Sequence, residues 1–394
     1  MMNTGPSRSI HVLTLTPFYP SRNDDASGCF VSEPLAWLGK MGVRNTVFAV
    51  QPLYRGKSHA NDSAVSADWL RHFALPGAFA IPIAGVFVFA RIVGRVRALH
   101  GLEPIDLIHA HASLPCGHAA MLLSQELGIP YVVSVHGFDG LPSEKVTGRA
   151  LAWCRRISRR VYASSRRVIC VSESVREHVL EGIGSTCRTS VVYNGVDPEL
   201  FSPGEEPSSE SLLILSGRTL PSIDGPETLV RAASSLTSEF PSLRWEFIGP
   251  GLERSRLHNL AQQLGVDEHV RFLGRQSRRQ IAEAMRRCSV FAVPSRCESL
   301  GDLYLEAMST GKPVIGYRGQ GMAEIIQHGS NGFLVGPDNE RELILAFAML
   351  LRDESLRRRL GTAARNTILG GFTLEHQAES LARIYRESVV SRTL

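Results

Sequence analysis

The alternation of β-strand and α-helix patterns, which runs through the first half of the chain and then starts again, most constrains the fold. Short β-rich runs at 11–16, 105–111 and 129–137 are separated by segments with helical spacing of apolar residues, such as 117–127. A strand–helix–strand order favours parallel strands with helices on both faces of the sheet. The sequence therefore predicts an α/β protein with doubly wound parallel sheets.

A run rich in Pro, Gly, Glu and Ser at 203–211 separates two such sets, and the pattern resumes with a strand at 211–217. We expect two Rossmann-like domains, 1–204 and 205–373. A final helix over 374–394 is expected to pack back toward the first domain. Open parallel sheets bind ligands beyond the carboxyl ends of their strands, so two facing sheets would form a cleft there.

The composition excludes several classes of protein. With 43% hydrophobic and 21% charged residues, the chain is expected to be globular and not disordered. The uncharged stretch 73–90 contains Pro76 and Pro82, which argue against a membrane-spanning helix. The polar start is followed by only a short apolar run, so no secretory signal is expected and the predicted location is the cytoplasm. The 7 cysteines form no C-x-x-C pair and are expected to be reduced.

The excess of positive charge lies in the first half of the chain. Residues 1–204 contain 20 Lys+Arg against 15 Asp+Glu, whereas 205–394 contain 23 of each. The segment 149–167 holds seven arginines and no acid, and a helix there would place Ile157 and Val161 opposite the arginines. This face is either a solvated surface or one that docks on an anionic membrane. The docking hypothesis rests on Arg155, Arg156, Arg159 and Arg160. No nucleic-acid-binding motif accompanies them, so a nucleic-acid partner is not expected.

The segment VPSRCESLGDLYLEAMSTGKPVIG, at 293–316, holds the most informative residues for chemistry. A buried strand ends before a loop with Glu298, and a helix that starts near Asp302 carries Glu306. Both carboxylates can therefore face one pocket beyond the strand. The backbone amides of 299–301 lie at the helix start, where N–H groups without helical partners suit a phosphate or sugar hydroxyls.

Two other kinds of site are disfavoured by the sequence. His109 and His111 share one face of a strand, with His118 nearby, but no carboxylate or cysteine stands at a spacing that completes a zinc site. No metal is therefore expected. The glycines do not form G-x-G-x-x-G, so the nicotinamide dinucleotide fingerprint is absent.

The segment 293–316 resembles the E-x7-E signature of family 4 retaining glycosyltransferases of the GT-B fold, and the resemblance covers about residues 11–390. Other segments resemble the markers of that family in the right order: HVLTLTPFYP, GCFVSEPLAWLGKMG, DLIHAH, VVSVHGFDG, VICVSESV, VVYNGVDPELF and GQGMAEIIQHGSNGFLV. The resemblance implies a retaining, metal-independent hexosyltransferase that needs no cofactor. Its donor would be a UDP- or GDP-linked sugar, and its acceptor a hydroxyl of a glycan or lipid-linked molecule. It further implies polysaccharide biosynthesis. A lipid-linked acceptor would fit the docking hypothesis for the arginine face at 149–167, with the protein peripheral at the inner face of the membrane.

The resemblance also implies roles for residues that match the donor site of the family. Glu306 resembles the carboxylate that accepts both ribose hydroxyls of the nucleotide, since a carboxylate offers only acceptors. Glu298 resembles the carboxylate that contacts the donor sugar. Arg218 resembles the arginine that grips the diphosphate and stabilises the leaving group. The amides beside them belong to Ser299, Leu300 and Gly301.

In the first domain, Gly28 resembles the glycine whose missing side chain lets a loop approach the diphosphate or sugar. His136 resembles the histidine that makes a hydrogen bond beside the donor sugar, and Asp139 is a candidate for orienting the acceptor. Catalysis is accordingly assigned to His136, Arg218 and Glu298.

One departure from the family pattern leaves two further hypotheses open. Asp224 stands before Gly225 where the family has a lysine, and a carboxylate would repel a diphosphate. Candidates for a substitute cation are Arg275, Arg296 and Lys312. The first alternative is a catalytically silent sugar-nucleotide-binding partner in a polysaccharide assembly complex. The second is a nucleotide-sugar epimerase or phosphorylase of the same fold. A covalent route through Glu298 also stays open.

Overall fold

The structure is a computed structural model of the chain, and it divides into two compact units. Unit 1 consists of the described residues up to Tyr193 and from Leu374, and unit 2 runs from Asn194 to Thr373. The structure describes residues 9–22, 24–54, 65–73, 81–137, 147–183, 187–204, 212–217, 226–249, 254–293, 299–319, 321–337 and 339–390.

Unit 1 is a parallel sheet with helices on both faces. Its described strands are β1 Ile10–Thr16, β2 Val43–Pro52, β3 Ala67–His72, β4 Leu107–His111, β5 Tyr131–Val135, β6 Arg167–Cys170 and β7 Thr189–Val191. They lie in the order β3-β2-β1-β4-β5-β6-β7, and every pairing is parallel. Its described helices are α1 Cys29–Lys40, α2 Ile81–Leu102, α3 His118–Leu127, α4 Gly148–Ser164, α5 Glu173–Ile183 and, from the end of the chain, α12 Leu374–Val390.

Unit 2 repeats this architecture with a smaller sheet. Its described strands are β8 Leu213–Gly217, β9 Arg244–Ile248, β10 Val270–Gly274, β11 Val290–Ala292, β12 Val314–Tyr317 and β13 Phe333–Val335. Their order is β10-β9-β8-β11-β12-β13, again with parallel pairings. The described helices are α6 Pro226–Thr237, α7 Arg254–Gln263, α8 Arg278–Arg287, α9 Asp302–Ser309, α10 Glu340–Arg352 and α11 Glu354–Leu369. The predicted fold class, two Rossmann-like doubly wound sheets, is confirmed.

The boundary between the units differs from the one expected from composition. The contacts place it before Asn194, whereas the Pro- and Gly-rich run suggested a position after Gly204. The reason is that the intervening segment is bound to unit 2. The amide of Val196 donates to the carbonyl of Phe372 at 3.0 Å, and the side chain of Phe201 is fully buried. The run at 203–211 therefore follows the boundary.

The last helix, α12, is part of the core of unit 1. Ala378, Leu381 and Tyr385 are buried in one apolar cluster with Leu35 and Leu38 of α1. Apolar residues at helical spacing on α12 provide this face. Among the helices that the structure describes, none is both long and apolar enough to cross a membrane.

The close approach of α11 to the turn after α9 depends on a glycine. A Cβ atom at Gly361 would lie 1.9 Å from the backbone oxygen of Gly311, a distance at which the backbone has to move. By contrast, a Cβ at Gly94, in the exposed part of α2, would have no atom within 4 Å.

We therefore predict opposite effects for two alanine substitutions. Gly361→Ala should lower the free energy of unfolding of unit 2 by roughly 1–3 kcal/mol, the usual cost of overpacking. Gly94→Ala should raise that of unit 1 by about 0.5–1 kcal/mol, because alanine is the better helix former. Urea denaturation followed by hydrogen exchange of α11 and α2 measures both. Equal effects of the two substitutions would contradict the packing argument.

Candidate functional site

The structure places the predicted site residues in two groups, one within each unit. Unit 1 holds Gly28 and His136, and unit 2 holds Glu306 and the loop before α9. Asp139, Arg218, Asp224 and Glu298, which the sequence singled out, lie outside the described residues.

Three histidines come together at the carboxyl ends of β4 and β5. These strands are parallel neighbours, and their register pairs His111 with Ser134. His136 comes two residues after Ser134, directly beyond the end of β5. His109 and His111 alternate with Ala110 and therefore lie on the same face of β4. The ring centroids of His109 and His111 are 4.3 Å apart.

Each histidine of this cluster makes short hydrogen bonds. Nδ1 of His109 lies 2.7 Å from the hydroxyl of Tyr385, and its Nε2 lies 2.7 Å from the hydroxyl of Ser134. Nδ1 of His111 lies 2.7 Å from Nε2 of His136, and the two rings are nearly parallel, with 11° between their planes. The imidazoles of His111 and His136 therefore bond directly to each other.

Burial keeps these imidazoles neutral. It lowers the pKa of His136 to about 3. It also lowers the pKa of His109 to about 3, with a smaller contribution from the charge of His136. The pKa of His111 is lowered well below its ordinary value, first by burial and then by the other two histidines. The ring of Phe30 lies 4.6 Å from that of His136 and completes an apolar surrounding.

One polar atom of the cluster lacks a partner. Nδ1 of His136 is buried, and no residue that the structure describes makes a hydrogen bond with it. A buried nitrogen without a partner costs about 1–3 kcal/mol, so such an atom is a candidate contact for a ligand. This agrees with the hydrogen bond that the family resemblance gives to His136.

A glycine at position 28 is required for the packing of unit 1 itself, independently of any ligand. It caps α1 with φ = 80°, a left-handed conformation that favours glycine. A Cβ atom there would lie 2.5 Å from the backbone nitrogen of Tyr19. The missing side chain thus serves the packing of α1 against the segment after β1. The predicted role toward the diphosphate or sugar stays a prediction.

In unit 2 the loop before α9 is closely packed. Gly301 caps the helix with φ = 84°, and its carbonyl accepts from the amide of Tyr304 at 2.8 Å. Leu300 is buried, and a Cβ at Gly321 would lie 1.8 Å from the carbonyl oxygen of Ser299. The segment that carries the predicted amide donors is therefore held in place by its own unit.

Glu306 lies inside a buried network of charges. Its carboxylate accepts a hydrogen bond from Nη1 of Arg278, and both side chains are at most one-tenth exposed. The guanidinium carbon of Arg278 lies 4.7 Å from the ring centroid of Phe201. Asp302, one turn before Glu306, accepts from Nδ2 of Asn194 at 2.9 Å. Burial raises the pKa of Asp302, against the hydrogen bond of Asn194 and the charge of Arg278.

Arg278 and Tyr385 were missed by the sequence analysis. Arg278 stands in an arginine-rich helix, so its type did not distinguish it from exposed arginines. Tyr385 stands among the apolar positions of the last helix, and no local pattern marks it as a partner of His109. Of the proposed substitute cations, Arg275 is exposed, Lys312 is buried, and Arg296 lies outside the described residues.

A metal finds no obvious ligand set in either group. The ring nitrogens of His109 are bonded to hydroxyls, and Nδ1 of His111 is bonded to an imidazole. Over the residues that the structure describes, no group of three or more His, Cys, Asp or Glu side chains could hold a metal ion.

Comparisons with known proteins match both units. The family model described as glycosyltransferase family 4 matches residues 33–200, and that of glycosyl transferases group 1 matches 196–367. The chain is 30% identical to glycosyltransferase MJ1178 of Methanocaldococcus jannaschii over 72% of this chain and 76% of that protein.

Solved structures share the fold at low sequence identity. Sucrose-phosphate synthase of Thermosynechococcus elongatus superposes with a TM-score of 0.80 at 20% identity, over 97% of this chain and 100% of that one. The Anabaena protein HepE, solved in complex with UDP-glucose, superposes with a TM-score of 0.72 at 20% identity, over 96% of this chain and 100% of that one.

The buried histidines predict how stability depends on pH. Their pKa values are depressed in the folded state, so the unfolded state binds more protons and stability falls as the pH drops below about 6.5. Between pH 7.5 and 5.5, each should destabilise unit 1 by about 1.4 kcal/mol. Hydrogen exchange of β4 and β5 in urea measures this slope. His136→Gln should remove about a third of the contribution of the cluster, whereas His258→Gln on the exposed side of α7 should not change it. An unchanged slope in His136→Gln would show that the histidine is accessible to protons.

Proposed function

The chain belongs to the glycosyl transferases of group 1, and from this premise we propose that it moves a sugar from a nucleotide-diphosphate sugar to a hydroxyl of a glycan or lipid-linked acceptor. We further propose that the anomeric configuration is retained and that no metal is needed. In this proposal unit 2 binds the donor nucleotide and unit 1 binds the acceptor. The observation that carries it is the Glu306 carboxylate, buried on α9 directly after a loop whose amides are held in place.

The donor assignment is supported by the chemistry of the α9 site. A buried carboxylate can accept hydrogen bonds from two ribose hydroxyls. HepE, which shares the fold, has been solved with UDP-glucose, and this supports a nucleotide sugar as donor. Arg278 lies on one side of the Glu306 carboxylate and donates to one of its oxygens.

The transfer step is assigned to residues that the family resemblance identifies. Arg218 and the amides of Ser299, Leu300 and Gly301 would stabilise the charge that develops on the departing nucleoside diphosphate. The acceptor hydroxyl would attack the sugar on the face from which the nucleoside diphosphate leaves, either directly or through a short-lived ion pair. His136 would make a hydrogen bond beside the sugar, and Glu298 would contact its hydroxyls.

We predict that this donor site can be tested by ligand-induced stabilisation. A UDP- or GDP-sugar at a hundred times its dissociation constant should stabilise the protein by about 2.7 kcal/mol in a thermal-shift panel. Glu306→Gln should abolish most of that shift, since the substitution removes the charge and replaces one of the two acceptor oxygens by an NH2 group that donates. Glu340→Gln, at an exposed position of α10, is the matched control and should leave the shift intact.

Turnover measurements on the same proteins distinguish sugar transfer from binding without catalysis. Arg218→Ala and Glu298→Ala should each lower turnover by roughly two to four powers of ten, and EDTA should leave turnover unchanged. Binding without turnover in the wild-type protein, with turnover gained in Asp224→Lys, would favour the silent partner. Equal shifts for Glu306→Gln and Glu340→Gln would contradict the donor site.

We extend the proposal to an anionic membrane surface as the partner of unit 1. On α4 the side chains of Arg155, Arg156 and Arg160 are exposed, and no carboxylate among the described residues forms an ion pair with them. Trp153, on the same helix, is 48% exposed, and a tryptophan suits a membrane–water interface. Arg159 differs, because its Nε donates to the carbonyl of Gly182 at 3.0 Å.

The opposite face of α4 is fixed to the unit. Ile157 and Val161 are buried, as the helical spacing predicts, and Cys154 packs near Ile81 at the start of α2. On α2 itself, Val86 is 45% exposed. A basic helix with an exposed tryptophan beside an exposed apolar residue is typical of a surface that lies on anionic lipids.

We predict that reversing the charge of Arg155, Arg156 and Arg160 to Glu releases the protein from anionic vesicles. Each arginine near such a surface contributes about 1 kcal/mol, so binding should fall by at least two powers of ten. Sedimentation with vesicles of phosphatidylglycerol and phosphatidylcholine measures it, with pure phosphatidylcholine as reference. Reversal of Arg254, Arg341 and Arg359, exposed in unit 2, preserves the change in net charge and should have a much smaller effect. Equal loss in both triple variants would exclude a docking role for α4.

A further inference from the structure

We propose that His111 is a positioning residue that fixes the orientation and the proton of His136, so that Nδ1 of His136 is a hydrogen-bond acceptor for a sugar hydroxyl. This inference rests on the proposed function, because it concerns the histidine assigned to the donor sugar. It names His111 as the side chain that sets the orientation and the tautomer of His136, and Nδ1 as the nitrogen of His136 that carries no proton.

Only one ring nitrogen of His136 is available to a ligand. Its Nε2 lies 2.7 Å from Nδ1 of His111, so this nitrogen is already engaged. A ligand can therefore use only Nδ1, which is buried and makes no hydrogen bond with any described residue. The ring cannot present its other nitrogen without breaking the bond to His111.

The hydrogen bond between His111 and His136 determines which nitrogen of each ring carries a proton. Both rings are neutral, so one of the two bonded nitrogens carries the hydrogen and the other accepts it. If Nε2 of His136 donates, both imidazoles have the Nε2–H form, which neutral histidine intrinsically prefers. If Nδ1 of His111 donates, both rings must take the less favourable Nδ1–H form. The first arrangement is therefore favoured, and it leaves Nδ1 of His136 as an acceptor.

The rings of His111 and His136 are held in place by their neighbours. The ring centroid of His136 lies 5.0 Å from that of His111, to which it is hydrogen-bonded, and 4.6 Å from that of Phe30. The ring of His109 lies 4.3 Å from that of His111 and is itself anchored by hydroxyls. After His111, Ala112 has φ = 68° and its amide donates to the carbonyl of Ser134 at 2.9 Å, which fixes the chain where β4 ends. Rotation of His136 is thus opposed by the hydrogen bond to His111 and by the ring of Phe30.

The consequence is chemical. An acceptor nitrogen orients a sugar by accepting a hydrogen bond from one of its hydroxyls, and a neutral ring of low pKa cannot supply a proton to the leaving group. His136 is therefore a group that orients the sugar. With the proton on Nδ1 instead, the ring would donate to the hydroxyl oxygen, which reverses the contact and turns the hydroxyl hydrogen elsewhere. Partners that orient metal-ligating histidines contribute one to two powers of ten, and we expect an effect of similar size here.

The experiment uses the full chain labelled with 15N in the histidine rings. Long-range 1H–15N correlation spectra at pH 7.5 should show His136 with hydrogen on Nε2 and none on Nδ1, its signals being assigned by their loss in His136→Gln. His111→Asn and His111→Leu form a matched pair, since the two side chains have nearly the same shape. The asparagine can still accept from Nε2–H and should preserve this state, whereas the leucine cannot and should give a mixture of tautomers.

Turnover supplies the second measurement. His111→Leu should lower kcat roughly tenfold to a hundredfold with little change in the KM of the donor, and His111→Asn should recover most of the loss. Tyr385→Phe removes the hydroxyl bonded to His109 and leaves the His111–His136 bond, so the spectrum of His136 should not change.

Two results would overturn the inference. One is a wild-type His136 with hydrogen on Nδ1 or a charged ring, which needs no variant to fold. The other is an unchanged tautomer in His111→Leu. The failure of the proposed function is distinguishable, because a wild-type protein that binds no nucleotide sugar would contradict that function whatever the spectrum shows.

Discussion

The strands that carry the site are buried on both faces, and this constraint determines how polar groups are placed around them. Every residue of β4 and β5 is buried, although these strands contain two histidines and a serine. A buried polar group without a partner costs about 1–3 kcal/mol, so such residues must bond within their own unit. His109 does so through Tyr385 and Ser134. The pairing of His111 with His136 meets the same requirement.

In unit 2 a buried polar group is paired with a side chain of opposite charge. Glu306 is buried on α9, and an isolated carboxylate there would be strongly unfavourable. Arg278 of α8 provides the opposite charge, and Phe201 lies over its guanidinium. Removal of one partner of a buried pair typically costs about 3–5 kcal/mol, because the other charge is left behind. On the proposed function, a ligand-binding role and a structural role would coincide in Glu306, and the same would hold for Gly28.

The sequence predicted what depends on local patterns. Strands and helices follow from the spacing of apolar residues over short windows, and the doubly wound class follows from their alternation. The bond between His109 and Tyr385 spans 276 residues, and no local pattern indicates it. Arg278 was missed for the same reason, since only the packing of α8 on α9 separates it from its exposed neighbours. The boundary was misplaced because composition reveals a loop, whereas a boundary is set by which unit the flanking residues contact.

The charges around α9 bear on how a nucleotide diphosphate could be held. Asp302 and Glu306 lie one turn apart, and Arg278 acts on both. Carboxylates favour groups that donate hydrogen bonds, such as hydroxyls, and disfavour a diphosphate. On the proposed function, the ribose would therefore lie nearest Glu306, and the diphosphate would need separate positive groups. Arg218 and the amides of Ser299–Gly301 are the candidates, and Asp224 would oppose them. On this division of roles, the loop after β8 and the start of α9 would hold the diphosphate, and Glu306 would hold the ribose.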